Sequence, residues 1–126
     1  MVPTISGIHH VKVPVSDLAA SRAWYERVLG FAVEIEFEGD GVVRGLALGR
    51  DGVRVALRHD PERATAMSGF DALALLVPAR DQVHAWKARL DGAGEPHGGI
   101  VTGHNGGTVL VGLHDPDGIE IRLYAD

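Results

Sequence analysis

The chain has no cysteine, so any chemistry it performs must rest on imidazole, guanidinium, ammonium and carboxylate groups. Thiolate nucleophiles, disulfides and thiolate metal sites are excluded. Five of the seven histidines (His59, His84, His97, His104 and His114) scatter over loops and a helix surface without the spacing of metal ligands. His114 is the most suggestive of them because it abuts the Asp115-Pro116 turn. His9 and His10 stand together at the head of an alternating run. A histidine there is more often a satisfied structural residue than a catalyst, and His9 is read that way. For His10 both readings stay open, the second being a proton shuttle. Arg122 lies in the last alternating segment, where a guanidinium can fork onto a carboxylate, phosphate or enolate through two parallel hydrogen bonds. It could equally pair with Glu120 or a sheet Glu such as Glu36. The stretch Gly92 to Gly107 lacks phosphate-loop spacing and is expected to be a mobile loop with a flexible tip, Gly103-His104-Asn105-Gly106-Gly107.

The elements that must position these groups are written twice. Shifted by about 62 positions, His10-Val11-Lys12-Val13-Pro14-Val15 falls on Ala72-Leu73-Ala74-Leu75-Leu76-Val77, Ala23-Trp24-x-x-Arg27 on Ala85-Trp86-x-x-Arg89, and Gly30 on Gly92. At a slightly longer offset, Asp51-Gly52-Val53-x-Val55-x-Leu57 falls on Asp117-Gly118-Ile119-x-Ile121-x-Leu123. Alternation predicts a strand over residues 8–15, then a helix capped by Ser16-Asp17 and stopped by Gly30. Three strands follow, Phe31 to Phe37, Val42 to Leu48 and Val53 to Arg58, joined by Gly-Asp-Gly and Asp-Gly turns. Residues 60–69 have no strand periodicity and read as a linker. The second unit has a strand from Phe70 to Val77, a helix from about Asp81 to Leu90 with Val83, Trp86 and Leu90 inward, a short strand near Ile100-Val101, and strands over Val109 to Leu113 and Ile119 to Tyr124. The repeat makes core packing the expected role of Trp24 and Trp86. The fold class is α+β: one domain over residues 1–126, with two tandem βαβββ modules (8–59 and 70–124) forming a cleft-bearing mixed sheet.

Bulk properties narrow the partners. Seventeen acidic residues against twelve basic ones, with no basic block, argue against nucleic acid. No apolar run reaches the length of a membrane span, and no basic-then-apolar leader opens the chain. A cytoplasmic location is the default expectation, with a small molecule as partner and a homodimer covering the exposed sheet edges.

The segments His10-Val11-x-Val13-x-Val15-Ser16-Asp17-Leu18, Trp24-Tyr25-x-x-Val28-Leu29-Gly30-Phe31 and Asp115-Pro116-Asp117-Gly118-Ile119-x-Ile121 resemble the vicinal oxygen chelate proteins, which include glyoxalase I, bleomycin-resistance proteins and extradiol dioxygenases. The resemblance spans nearly the whole chain and implies a cleft built by paired modules. In the family's metal enzymes the ligands come from the first and last strand of each module. The repeat registers place those positions at His10, Ala56, Ala72 and Arg122. Only His10 can donate to a metal, so the expectation is no metal and no cofactor. Alternation adds Lys12 and Pro14 to the face of His10, Arg54 and Arg58 to that of Ala56, Ala74 and Leu76 to that of Ala72, and Glu120 and Tyr124 to that of Arg122. The expected ligand-binding set is therefore His10, Lys12, Arg54, Ala56, Arg58, Ala72, Ala74, Glu120, Arg122 and Tyr124. Lys12, Arg54 and Arg58 can also be read as solvated or interface charges. Two functions follow from the resemblance. One is a metal-free binding protein for a small, partly hydrophobic, anionic or polyphenolic molecule, such as an antibiotic that is sequestered. The other is a lyase, isomerase or dioxygenase type of enzyme, with His10 and Arg122 as catalytic residues or with an unorthodox metal site.

Overall fold

A computed structural model describes residues 1–126. The chain divides into two compact units, Met1–Pro61 and Glu62–Asp126, each with its own four-stranded mixed sheet. In unit 1 the strands are β1 (Val11–Val15), β2 (Ala32–Gly39), β3 (Val42–Arg50) and β4 (Val53–His59), in spatial order β1-β4-β3-β2, and the helix α1 (Leu18–Leu29) connects β1 to β2. β1 runs parallel to β4 and the other pairs are antiparallel. Unit 2 repeats the plan with β5 (Leu73–Leu76), α3 (Arg80–Ala93), β6 (Gly99–Thr102), β7 (Thr108–His114) and β8 (Glu120–Ala125), in the order β5-β8-β7-β6. Asp40-Gly41 and Asp51-Gly52 join the three antiparallel strands of unit 1. All four residues have positive φ, the backbone of the tight hairpin turn whose twist matches the strands.

Each helix buries one stripe against one face of its sheet. In unit 1, Tyr25, Val28 and Leu29 of α1 belong to the same core as Val13, Val15, Leu48, Val55 and Leu57, with Trp24 and Phe31 edge-on to Tyr25. In unit 2, Val83 and Leu90 of α3 are buried with Leu110, Leu113, Ile119, Ile121 and Leu123. Asp17 caps α1 by accepting from the Ala20 N–H at 3.0 Å, and Gly30 closes it in the left-handed region.

Several boundaries differ from the expectation. β1 starts at Val11, opposite Val55 of β4, rather than at residue 8. Residues 61–67, read as linker, form a helix α2 (Pro61–Met67), with proline in the first turn, where its missing N–H costs nothing. Only Ala64 of that helix is buried, so it leaves almost no periodic signal. α3 continues past Gly92 to Ala93, and Gly94 (φ 68°) is the residue that ends it. Trp86 is only half-buried and lies beneath the Arg89 guanidinium, so it is not the core counterpart of Trp24 that the repeat suggested. The tip at 103–107 is not free either. Its residues 104–106 form a short 3-10 turn, tied down by the Tyr124 hydroxyl donating to the His104 carbonyl at 2.9 Å.

Candidate functional site

The face of the unit 1 sheet opposite α1 is built from small side chains in its two central strands. Following the registers across the sheet, one row reads Lys12, Ala56, Ala47, Ile35, and the next reads Pro14, Arg58, Gly45, Phe37. Glycine and alanine on β3 and β4 leave a depression between a wall from β1 and a wall from β2. Here lies a cavity of about 490 Å³, within the range of small-ligand pockets. Ile35 and Phe37 line it and are about half exposed, although they alternate with glutamates in the manner of core-facing residues.

Two β-bulges bring charge onto this face. Val33 pairs with Leu48 and Ile35 with Ala47, so Glu34 is an extra residue on β2. Phe37 pairs with Gly45 and Glu38 with Val43, so Arg44 is an extra residue on β3. Four cationic side chains, Lys12, Arg44, Arg54 and Arg58, line the cavity against one carboxylate, Glu38. Arg54 is bonded to Glu34 at 3.1 Å, whereas Lys12, Arg44 and Arg58 are in no ion pair. His9 and His10 stand at the mouth, exposed, with their Nδ1 atoms 2.9 Å apart, so one ring donates and the other accepts. A second, polar cavity of about 280 Å³ adjoins the first and shares His9 and Arg54 with it. Its Arg50 is committed to structure, donating to the Leu29 carbonyl at the end of α1 at 2.7 Å and pairing with Asp51 at 2.9 Å.

Five of the ten expected ligand-binding residues (His10, Lys12, Arg54, Ala56 and Arg58) therefore line one cavity. Ile35, Phe37 and Arg44 were missed. The signal for the first two was the apolar alternation of β2, read only as a half-exposed strand. Arg44 carried none, because a bulge breaks the parity on which a face assignment rests.

The other five belong to unit 2. Ala72 precedes β5 and Ala74 lies within it, exposed. On β8, Arg122 Nε donates to Glu120 at 2.7 Å and its Nη1 lies 3.5 Å from Asp71. Glu120 also accepts from the Gly112 N–H at 3.2 Å, and His114 stands 4.0 Å away. Burial pushes the Glu120 carboxyl up, but the hydrogen bonds from Arg122 and Gly112 outweigh it and hold it below its usual value. The same pairing raises Arg122. Two carboxylates thus share one guanidinium, and the cluster presents no excess positive charge. Tyr124 spends its hydroxyl on the His104 carbonyl.

No group of three or more His, Asp or Glu side chains converges in the structure. The four positions at which the resemblance implies metal ligands, His10, Ala56, Ala72 and Arg122, hold one imidazole, two methyl groups and a guanidinium. That donor set does not fit a divalent ion.

The profile of the Glyoxalase/Bleomycin resistance protein/Dioxygenase superfamily matches residues 7–123, and the chain belongs to that superfamily. Solved structures share its fold at low identity. A lactoylglutathione lyase from Agrobacterium tumefaciens is 17% identical, with a TM-score of 0.77 over 98% of this chain and 96% of that one. A glyoxylase/bleomycin resistance protein/dioxygenase domain from Frankia sp. EAN1pec is 23% identical, with a TM-score of 0.77 over 97% and 93%. A bleomycin-binding protein complexed with bleomycin is 22% identical, with a TM-score of 0.71 over 96% and 99%. Among curated proteins, none matches the chain.

Proposed function

We propose that the protein binds a small, partly apolar, anionic molecule on the open face of the unit 1 sheet, without a metal, and that it does so as a homodimer. The lining of the cavity carries this reading: an apolar wall of Ile35 and Phe37 over a floor of Ala47 and Ala56, facing Lys12, Arg44 and Arg58, which have no carboxylate partner. A cation with no partner beside an apolar surface favours a ligand that supplies both a charge and a hydrophobic body. The bleomycin-binding relative supplies a precedent for a fold of this kind holding a small molecule. The enzymatic reading through His10 and Arg122 draws less support, because the Arg122 charge is already matched by Glu120 and Asp71.

Fluorescence titration with 8-anilino-1-naphthalenesulfonate, set against the uncharged N-phenyl-1-naphthylamine, tests the proposal. Lys12→Gln and Arg58→Gln should each weaken the sulfonate by about three- to tenfold, the range for a charged hydrogen bond at a partly exposed site, and leave the neutral probe unchanged. Equal binding of the two probes, or variants that bind the sulfonate as the parent does, would sink it.

A further inference from the structure

We infer that Glu34 makes the cavity selective for ligands with a single anionic group, by standing on Arg54 as a resident carboxylate and leaving only the far end of the sheet face cationic. This rests on the reading that the face binds an anionic, partly apolar molecule.

Three independent features converge on that arrangement. Glu34 is the extra residue of the β2 bulge, which turns it onto the open face instead of leaving it on the ladder. Its carboxylate lies where a side chain at position 49 would begin, so that Gly49 is the residue that makes room for it. It pairs there with Arg54 Nε at 3.1 Å, closing the boundary between the apolar cavity and the polar one.

The consequence is a polarised site. Arg54 and Arg58 lie on the same face of β4, roughly 13 Å apart along the strand. Arg54 is neutralised, whereas Arg58 has no partner. A monoanion with an apolar body places its charge near Arg58, Lys12 and Arg44, which outnumber the one carboxylate at that end, Glu38, and its body against Ile35 and Phe37. A second anionic group at the other end of the same molecule meets Arg54 already paired with Glu34, whose carboxylate lines the adjoining polar cavity. The Glu34 and Arg54 side chains are 44% and 40% exposed, so the pair is weakly held and its contribution is to selectivity rather than to stability.

Two rod-shaped probes separate these cases: biphenyl-4-sulfonate, charged at one end, and biphenyl-4,4′-disulfonate, charged at both. Isothermal titration of the full chain should show the monosulfonate binding more tightly. Glu34→Gln should tighten the disulfonate by about fivefold or more while moving the monosulfonate by less than about twofold, since only one end of the site changes. Gly49→Ala perturbs the pair by another route, keeping the carboxylate charge, and should tighten the disulfonate in the same direction but by less. Its new methyl collides with the Glu34 carboxylate, the far end of a flexible side chain, and displaces it from Arg54. Disulfonate affinity unchanged in Glu34→Gln, or both probes strengthened equally, overturns the inference while leaving the binding function standing. Should neither probe bind the parent protein, the function itself falls and the inference with it.

Discussion

Ser21 is fully buried on the inner face of α1, and its hydroxyl has no hydrogen-bond partner. A buried hydroxyl that has given up water without a protein partner costs free energy. The repeat supplies the comparison, because position 21 corresponds to position 83, where α3 places the fully buried Val83. The same niche thus accepts an apolar group in the second unit. Ser21→Ala should raise stability by about 1 kcal/mol, or roughly 3–5 °C in the thermal midpoint, as it removes the orphaned hydroxyl and improves helix propensity. A lower midpoint by calorimetry would mean that the hydroxyl is bonded in solution.

At the scale of elements, the same correspondence sets Asp17 against Ala79. Both residues have the extended backbone of a helix N-cap, but only Asp17 has a side chain that caps. Ala79→Ser should therefore stabilise the protein, and Asp17→Ala destabilise it, by about 1 kcal/mol each. Chemical denaturation of the two variants checks the pair, and a neutral Ala79→Ser would show that α3 has no unmet need at its start. These caps also mark what was legible in the residues. Alternation with flanking Asp, Gly and Asp-Gly gives α1, α3 and the βαβββ order, because a sheet with one covered face imposes period two and a helix period 3.6. Five of the expected binding residues fall in one cavity for the same reason. The rest lay beyond a pattern argument. Ile35 and Phe37 alternate as core residues do, and nothing local reports that no helix covers their face. Glu34 fits the sequence alternation and Arg44 carries no mark of its own, so the bulges that turn both onto the open face show only in the pairing registers. Arg122 pairs with Glu120, a partner its sequence neighbourhood offers, whereas its second carboxylate, Asp71, is distant in sequence and left no signal.

For the whole molecule, charge and edges matter more than any single contact. Unit 1 carries seven basic residues against eight acidic, and unit 2 five against nine. The cationic lining of the cavity is therefore a local concentration within an acidic chain rather than a property of its bulk. The strand orders leave β1, β2, β5 and β6 each with one unpaired edge, and Ile5 and Ile8 stand exposed before β1. Such edges invite pairing, and a second copy related by a twofold axis covers them without open-ended growth. Light scattering at micromolar concentration should return twice the chain mass, and a stable monomer would count against the dimer. The two bulges of the β2–β3 hairpin have a further consequence, which concerns length. With Glu34 deleted, Val33 and Ile35 become neighbours opposite Leu48 and Ala47, and the ladder closes without a gap. With Arg44 deleted, Val43 and Gly45 do the same opposite Glu38 and Phe37. A relative one residue shorter in either strand keeps every pairing of the sheet and loses one charge from the site. In this hairpin, insertion and deletion can therefore retune what is bound while the fold stays as it is.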